Sequence, residues 1–174
     1  MKLKICLIII SLFCYTQAFD IPKISDIINP DARAARWGQS DADIFSQENS
    51  ADNSEYVETF KRKDELTGTT QLVMHYKARY RSMKGDLYYS FKDKRGSWSL
   101  ISVTYKLKPS KSKYFDNESE NIEKHLRIEY GTDYKISEEG KYTNSVQWKT
   151  FRSIITLTTD FYEELVSLSF VNNN

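Results

Sequence analysis

From Gln71 to Tyr80 the chain alternates. Leu72, Met74, Tyr76, Ala78 and Tyr80 share one side, and Val73, His75, Lys77 and Arg79 share the other. A period of two predicts a half-buried strand. The rhythm recurs twice. Leu87, Tyr89 and Phe91 alternate with Tyr88, Ser90 and Lys92, and Ile101, Val103, Tyr105 and Leu107 alternate with Ser102, Thr104 and Lys106. Turn signals at Met83-Lys84-Gly85-Asp86 and in Lys92–Ser97 join these strands into an antiparallel meander. Tyr56–Lys61 predicts a short strand before it, with a turn over Asp64–Thr69.

Two stretches follow a helical period. In Trp37-Gly38-Gln39-Ser40-Asp41-Ala42-Asp43-Ile44, Ser40 has the chemistry of an N-cap and Asp43 stands where a capping-box acid belongs. Gly38 permits the bend before it and Trp37 anchors it. Ile44 and Phe45 supply an apolar side that fades by Glu48. The second helix is predicted over Glu118–Tyr130, capped by Asn117. Ile122, Leu126 and Tyr130 recur every four residues with Ile128 alongside, and Gly131 is the stop. Beyond a polar loop over Thr132–Ser145, two strands are expected. Val146–Thr159 carries Trp148, Phe151, Ile155 and Leu157, and Glu164–Val171 carries Val166, Leu168 and Phe170, with Phe161-Tyr162-Glu163 as the turn between them. Trp148, like Trp37, reads as a core anchor. This order predicts an α+β fold: an antiparallel sheet with two helices packed on one face. A diverged tandem of two helix-then-sheet units is a further possibility.

The beginning of the chain has a different character. Met1–Ala18 has an early positive charge from Lys2 and Lys4, an apolar run over Ile5–Tyr15 too short for a bilayer, and a small residue at Ala18. These are the marks of a secretory signal. An arm is expected over residues 19–36, with a turn at Asn29-Pro30-Asp31 and a short helical turn over Asp31–Arg36. One domain is expected over residues 37–171 and a frayed tail over 172–174. Cys6 and Cys14 both lie in the signal, so the exported chain would carry no disulfide, thiolate metal site or cysteine nucleophile. A cysteine-free exported domain suits a bacterial envelope better than an animal secretion. The expected location is periplasmic or secreted, with no transmembrane segment after the signal.

Charge adds an asymmetry. Asp20–Phe60 holds nine acids and three bases, Lys61–Lys113 fourteen bases and four acids, and Tyr114 onward eleven acids and six bases. A basic middle between acidic flanks points either to an anionic partner or to wet strand faces paired with those flanks. His75, Lys77, Arg79 and Arg81 are the candidate binding residues.

Catalytic chemistry finds little footing. Gly38-Gln39-Ser40-Asp41-Ala42 approaches the serine elbow, but no buried strand precedes it and its last glycine is replaced by alanine. His75 lacks an evident carboxylate partner for base chemistry, and His125 sits four residues before Glu129 on a helix. Two histidines without cysteine offer no familiar metal spacing, and no metal or other cofactor is expected. The pairs Glu138-Glu139 and Glu163-Glu164 fall in expected turns. Lys77, Arg79 and Arg81 interleave with Tyr76, Tyr80 and Tyr88 as single-strand nucleic-acid binders do. Export argues against that partner, so no nucleic acid is expected.

Arg36-Trp37-Gly38-Gln39-Ser40-Asp41-Ala42-Asp43-Ile44 resembles the R-W-G-x-S-x-x-[ED]-[VI] opening of a group of small exported bacterial proteins of unknown role. Tyr89-Ser90-Phe91, Tyr130-Gly131, Trp148 and Ile155-Thr156-Leu157 follow in the same order as in that group. At the level of fold, the pattern is similar to the helix-then-sheet units of the outer-membrane assembly lipoprotein BamE (SmpA) and of the β-lactamase inhibitor protein. The lipobox of the one and the disulfides of the other are absent. The resemblance implies binding of another protein in the envelope, without catalysis.

The expected function is therefore an exported, non-enzymatic binding protein of inhibitor, immunity or assembly-factor type. Its expected partner is an envelope or secreted protein, with an anionic ligand as a further possibility and the oligomeric state open. The competing expectations are a small secreted hydrolase acting on wall glycan or ester, and a lipid or polyanion carrier.

Overall fold

The computed structural model describes residues 35–50, 54–65 and 67–173, apart from the side chains at 137–139. The expected signal, most of the expected arm and Asn174 lie outside the described residues. The elements run α1 (Asp41–Asn49), β1 (Ser54–Lys63), β2 (Thr70–Tyr80), β3 (Met83–Lys94) and β4 (Ser97–Lys108). A 3₁₀ turn (Ser112–Tyr114) then leads into α2 (Phe115–Tyr130), β5 (Tyr134–Gly140), β6 (Thr143–Lys149), β7 (Ser153–Asp160) and β8 (Leu165–Asn172). The fold is α+β with the sheet dominant. One eight-stranded sheet has the order β1-β2-β3-β4-β8-β7-β6-β5, and every neighbouring pair is antiparallel.

The chain thus writes a helix and a four-stranded meander twice. The two meanders meet where β4 pairs with β8 over Ser102–Leu107 and Val166–Val171. One cross-strand row shows how the faces sort: Thr59, Met74, Tyr89, Val103, Phe170, Ile155, Trp148 and Tyr134 lie side by side across all eight strands. From Met74 to Trp148 this row is buried. Ile44 of α1 and Phe115, Ile122 and Leu126 of α2 belong to the same buried cluster as these strand residues.

The helix starts differ. Ser40 caps α1 as expected: its Oγ accepts the Asp43 N–H at 3.1 Å, and Asp43 Oδ2 accepts the Ser40 N–H at 3.2 Å. The second helix begins three residues earlier than the sequence suggested, at Phe115, with Tyr114 at the N-cap and no side-chain cap, so Asn117 lies inside it. The buried Phe115 ring meets Phe161 edge-on at 5.9 Å, an apolar contact that anchors the extra turn. Ile128, expected on the apolar side, is 76 % exposed. Gly131 closes α2 at φ 87°, a conformation glycine adopts without strain. Its carbonyl accepts the indole N–H of the buried Trp148 at 3.1 Å.

Other differences are in the turns. The chain reverses between β2 and β3 at Arg81 and Ser82, two residues before the expected glycine turn, and Met83 is already buried strand. Gly85 lies within β3 because nothing larger fits: a Cβ there would stand 1.9 Å from the Lys106 carbonyl oxygen. The expected loop over Thr132–Ser145 contains β5, and the expected single strand over Val146–Thr159 is split by a turn at Thr150–Arg152. Glu138 pairs with Asn144 in the sheet, whereas Glu163 and Glu164 do form a turn. Phe151, at the tip of its turn, is exposed. Ala35 makes an isolated β-bridge where a helical turn was expected. The tail is held down by the Asn173 N–H, which donates to the Arg152 carbonyl at 2.9 Å.

Trp37, Gly38 and Gln39 occupy the junction of the two halves. The β4–β8 pairing stops at Ser102, and just beyond it the Gly38 N–H donates to the Leu100 carbonyl (3.1 Å) while the Leu100 N–H donates to the Gln39 carbonyl (2.9 Å). The Trp37 indole N–H reaches across to Ser153 Oγ at the start of β7, at 2.9 Å. Gly38 supports this turn with φ 87°.

A polar group is enclosed beneath α1. Glu48 is 2 % exposed, and its Oε1 accepts the Tyr89 hydroxyl at 2.5 Å. The neighbouring Tyr76 hydroxyl is buried and finds no hydrogen-bond partner among the described residues. Burial first, then the charge of Glu48 and the nearby Tyr56, push the Tyr76 pKa up to about 12 from 10.0.

Two outcomes follow from these contacts. Ser40→Ala should lower stability by about 1 kcal/mol, the usual cost of a lost N-cap, measured by urea unfolding. Tyr76 keeps its proton in the folded chain where the unfolded chain loses it. Its contribution is therefore complete below pH 10 and disappears between pH 10 and about 12. Tyr76→Phe should leave stability at pH 7 unchanged or slightly higher and move alkaline unfolding to higher pH. An unchanged alkaline midpoint would exclude Tyr76 as its cause.

Candidate functional site: the open face of the sheet

Strand alternation that buries one row presents its neighbours on the opposite face. Glu58, His75, Tyr88, Thr104, Ser169, Thr156, Gln147 and Lys135 form a row across all eight strands. A parallel row runs Glu55, Lys77, Asp86, Lys106, Ser167, Thr158 and Ser145. Charge is concentrated in the β1–β4 half, and the β6–β8 stretch of these rows presents Ser, Thr and Gln. At the junction Thr104 and Ser169 hydroxyls meet at 3.2 Å.

Asp86 holds the centre of the charged half. Its Oδ1 lies 2.6 Å from His75 Nε2 and accepts from Lys77 Nζ at 2.5 Å. His75 Nδ1 faces Glu58 Oε1 at 3.8 Å, and the imidazole stacks on Tyr88 at 4.6 Å between centroids. On the other side of Tyr88, Lys106 Nζ lies 5.8 Å from the ring centre. Burial alone would push the Asp86 carboxyl up. The hydrogen bonds from Lys77 and His75, with their charges, outweigh it and hold the group below its ordinary 3.8. The same bond to Asp86 raises Lys77, and burial followed by the Asp86 charge raises Tyr88.

His75, Lys77 and Arg79 share the open face, as the alternation predicted. Arg81 leaves it: it sits in the β2–β3 turn at φ 55°, so the expected basic strand ends at Arg79. Tyr76 and Tyr80, which would have stacked bases beside these cations, are buried on the opposite face. Contrary to expectation, His75 has carboxylate partners. Asp86 was missed because Gly85-Asp86 reads as a turn. A two-residue turn at Arg81-Ser82 instead places Lys77 opposite Asp86 and His75 opposite Tyr88. Met83, continuing the apolar side of Leu87 and Tyr89, was the available signal.

His75 Nε2 is engaged by Asp86 at 2.6 Å, while Nδ1 faces the exposed Glu58 carboxylate at 3.8 Å, beyond hydrogen-bond distance. Ser40 Oγ is occupied in its cap. Trp37, Gly38, Ser40, Asp43, Gly131 and Trp148 all serve the frame, through the contacts described above. Among the described residues no group of three or more His, Cys, Asp or Glu is arranged to hold a metal ion, and no helix is long and apolar enough to cross a membrane. Beside the charged rows, where β2 runs on past the start of β1, lies a notch of about 670 Å³. It is lined by Ser54, Glu55, Lys77, Ala78, Arg79, Lys84 and Gly85. No protein-family model, curated protein or solved structure matches the chain.

The depressed Asp86 pKa fixes the sign of a pH effect. Its ionised form contributes stability above its ordinary value, near pH 4, and that contribution is lost as the pH falls through the lower folded value. Asp86→Asn should therefore destabilise the protein at pH 7 and differ less from the parent near pH 2. Equal losses at both pH values in urea unfolding would show that the ionised state is not what matters.

Proposed function

We propose that this chain is an exported, non-enzymatic binding protein that engages another envelope or secreted protein, as an inhibitor, an immunity partner or an assembly factor. The observation that carries the reading is the broad polar sheet face, with its charge gathered on one half. A polar face of this breadth offers hydrogen-bonding and charged groups to a partner without requiring that partner to supply a large apolar patch. Two helices covering the same opposite face of the sheet, in two helix-then-sheet units, complete the proposed architecture. The similarity of the sequence pattern to the helix-then-sheet units of BamE and the β-lactamase inhibitor protein is the basis of that proposed architecture. The expected signal segment accounts for the proposed periplasmic or secreted location.

The test is affinity capture. The chain from Phe19 onward, used as bait on bacterial envelope and culture fractions, should recover a stoichiometric protein. Cross-linkers placed at Thr104 and Thr156 should join that protein to the open face. Charge reversal at Lys77 and Arg79 should weaken capture at least tenfold. Failure to recover any protein from either fraction would overturn the reading.

A further inference from the structure

The open face has a corner where charge is arranged against stability. Arg79 lies opposite Lys84, and Lys84 opposite Lys108, so three cations stand abreast on adjacent strands. All three are exposed. Like charges directly opposite one another destabilise a sheet. Neighbouring strands are spaced about 4.8 Å apart, so the three backbone positions span only about 10 Å. One row further in, Lys77 and Lys106 flank Asp86. Each outer strand therefore carries a pair of cations two residues apart: Lys77 with Arg79 on β2, and Lys106 with Lys108 on β4.

Resting on the binding-protein reading, we propose that this corner is the docking site for an extended acidic segment of the partner protein. Its carboxylates, spaced every second residue, would meet Arg79, Lys84, Lys106 and Lys108. Charge complementarity carries the choice of partner. Alternate side chains of an extended peptide repeat at about 7 Å, which is also the spacing of Lys106 and Lys108 along β4. Asp86 argues against a uniform polyanion. It places a negative charge among the cations and already engages Lys77 at 2.5 Å. A peptide can set a neutral or donor side chain over Asp86, whereas a sulfated glycan or an anionic bilayer presents charge without such gaps. The adjoining row offers Tyr88, Thr104 and Ser169 as the mixed apolar and hydroxyl surface that a polypeptide would cross next.

The experiment is an NMR titration of the ¹⁵N-labelled chain from Phe19 onward. The probes are an eight-residue peptide alternating Glu and Thr, its Gln-Thr counterpart, heparin, and phosphatidylglycerol vesicles. The Glu-Thr peptide should shift the amides around Arg79, Lys84 and Lys108 and bind at least tenfold more tightly than the Gln-Thr peptide. The double variant Lys84→Glu, Lys108→Glu should lose that binding at least tenfold, and Lys84→Arg should keep it. Lys84→Glu alone should raise the melting temperature, because it breaks a like-charge row, while weakening peptide binding. Equal binding of the two peptides, or peptide binding indifferent to the double reversal, overturns the site. So does reversal-sensitive binding of heparin or vesicles at least as strong as that of the Glu-Thr peptide. If affinity capture recovers a stoichiometric protein that the double reversal leaves bound, this docking site fails and the binding-protein reading stands. If the wild-type chain captures no protein, the reading itself fails.

Discussion

Pairing between β4 and β8 is the contact on which the rest depends. Six residues of each strand, Ser102–Leu107 and Val166–Val171, turn two four-stranded meanders into one sheet. Without them each meander would end in an exposed edge, and the apolar row from Met74 to Trp148 would be cut between Val103 and Phe170. Burial of that row gives the described residues, which include no cysteine, their core. The loop-closure cost is paid by contacts between residues about 60 to 70 positions apart, which only become favourable when both meanders are in place. The Trp37–Gln39 turn reinforces the same seam from outside, through Leu100 on one half and Ser153 on the other.

This seam also makes the polar face continuous. Joining the meanders aligns the charged rows of β1–β4 with the hydroxyl rows of β6–β8 on one continuous surface. The helices contribute indirectly. Ile44 of α1, and Phe115, Ile122 and Leu126 of α2, belong to the same buried cluster as the apolar and aromatic strand residues, whose alternate positions make up the charged and hydroxyl rows. At Gly85 the requirement is steric, since the Lys106 carbonyl occupies the space a side chain would need. That close approach keeps β3 against β4, where Lys84 and Asp86 take their places among the cations of the neighbouring strands.

Much of this was legible along the chain. The alternation of β2, β3, β4 and β8, the Ser40 cap and the Gly131 stop each rest on residues within a few positions of one another, and local chemistry dictates them. Other features were not legible. Tyr134–Gly140 lacks a strong apolar rhythm, and its strand exists because β6 offers it an edge to pair with. Phe115 belongs to α2 because Phe161, far along the chain, meets it. Glu48 looked like the fading end of an amphipathic pattern, yet the Tyr89 hydroxyl makes it a buried acceptor. At the open face, His75, Lys77 and Arg79 were visible from alternation. Asp86, Tyr88, Lys84, Lys106 and Lys108 became part of the same site only through strand register.

By itself the sequence determined which residues would face inward and outward along most strands, where the first helix starts and the second stops, and that the basic residues would cluster in the middle segment. These follow from periodicity and capping, which act over a few residues. Tertiary structure decided which strands are neighbours, that the two meanders share one sheet, and which charges stand opposite one another. Those choices depend on register, and a two-residue displacement of a single turn is enough to move Asp86 from a loop to the centre of the charged face.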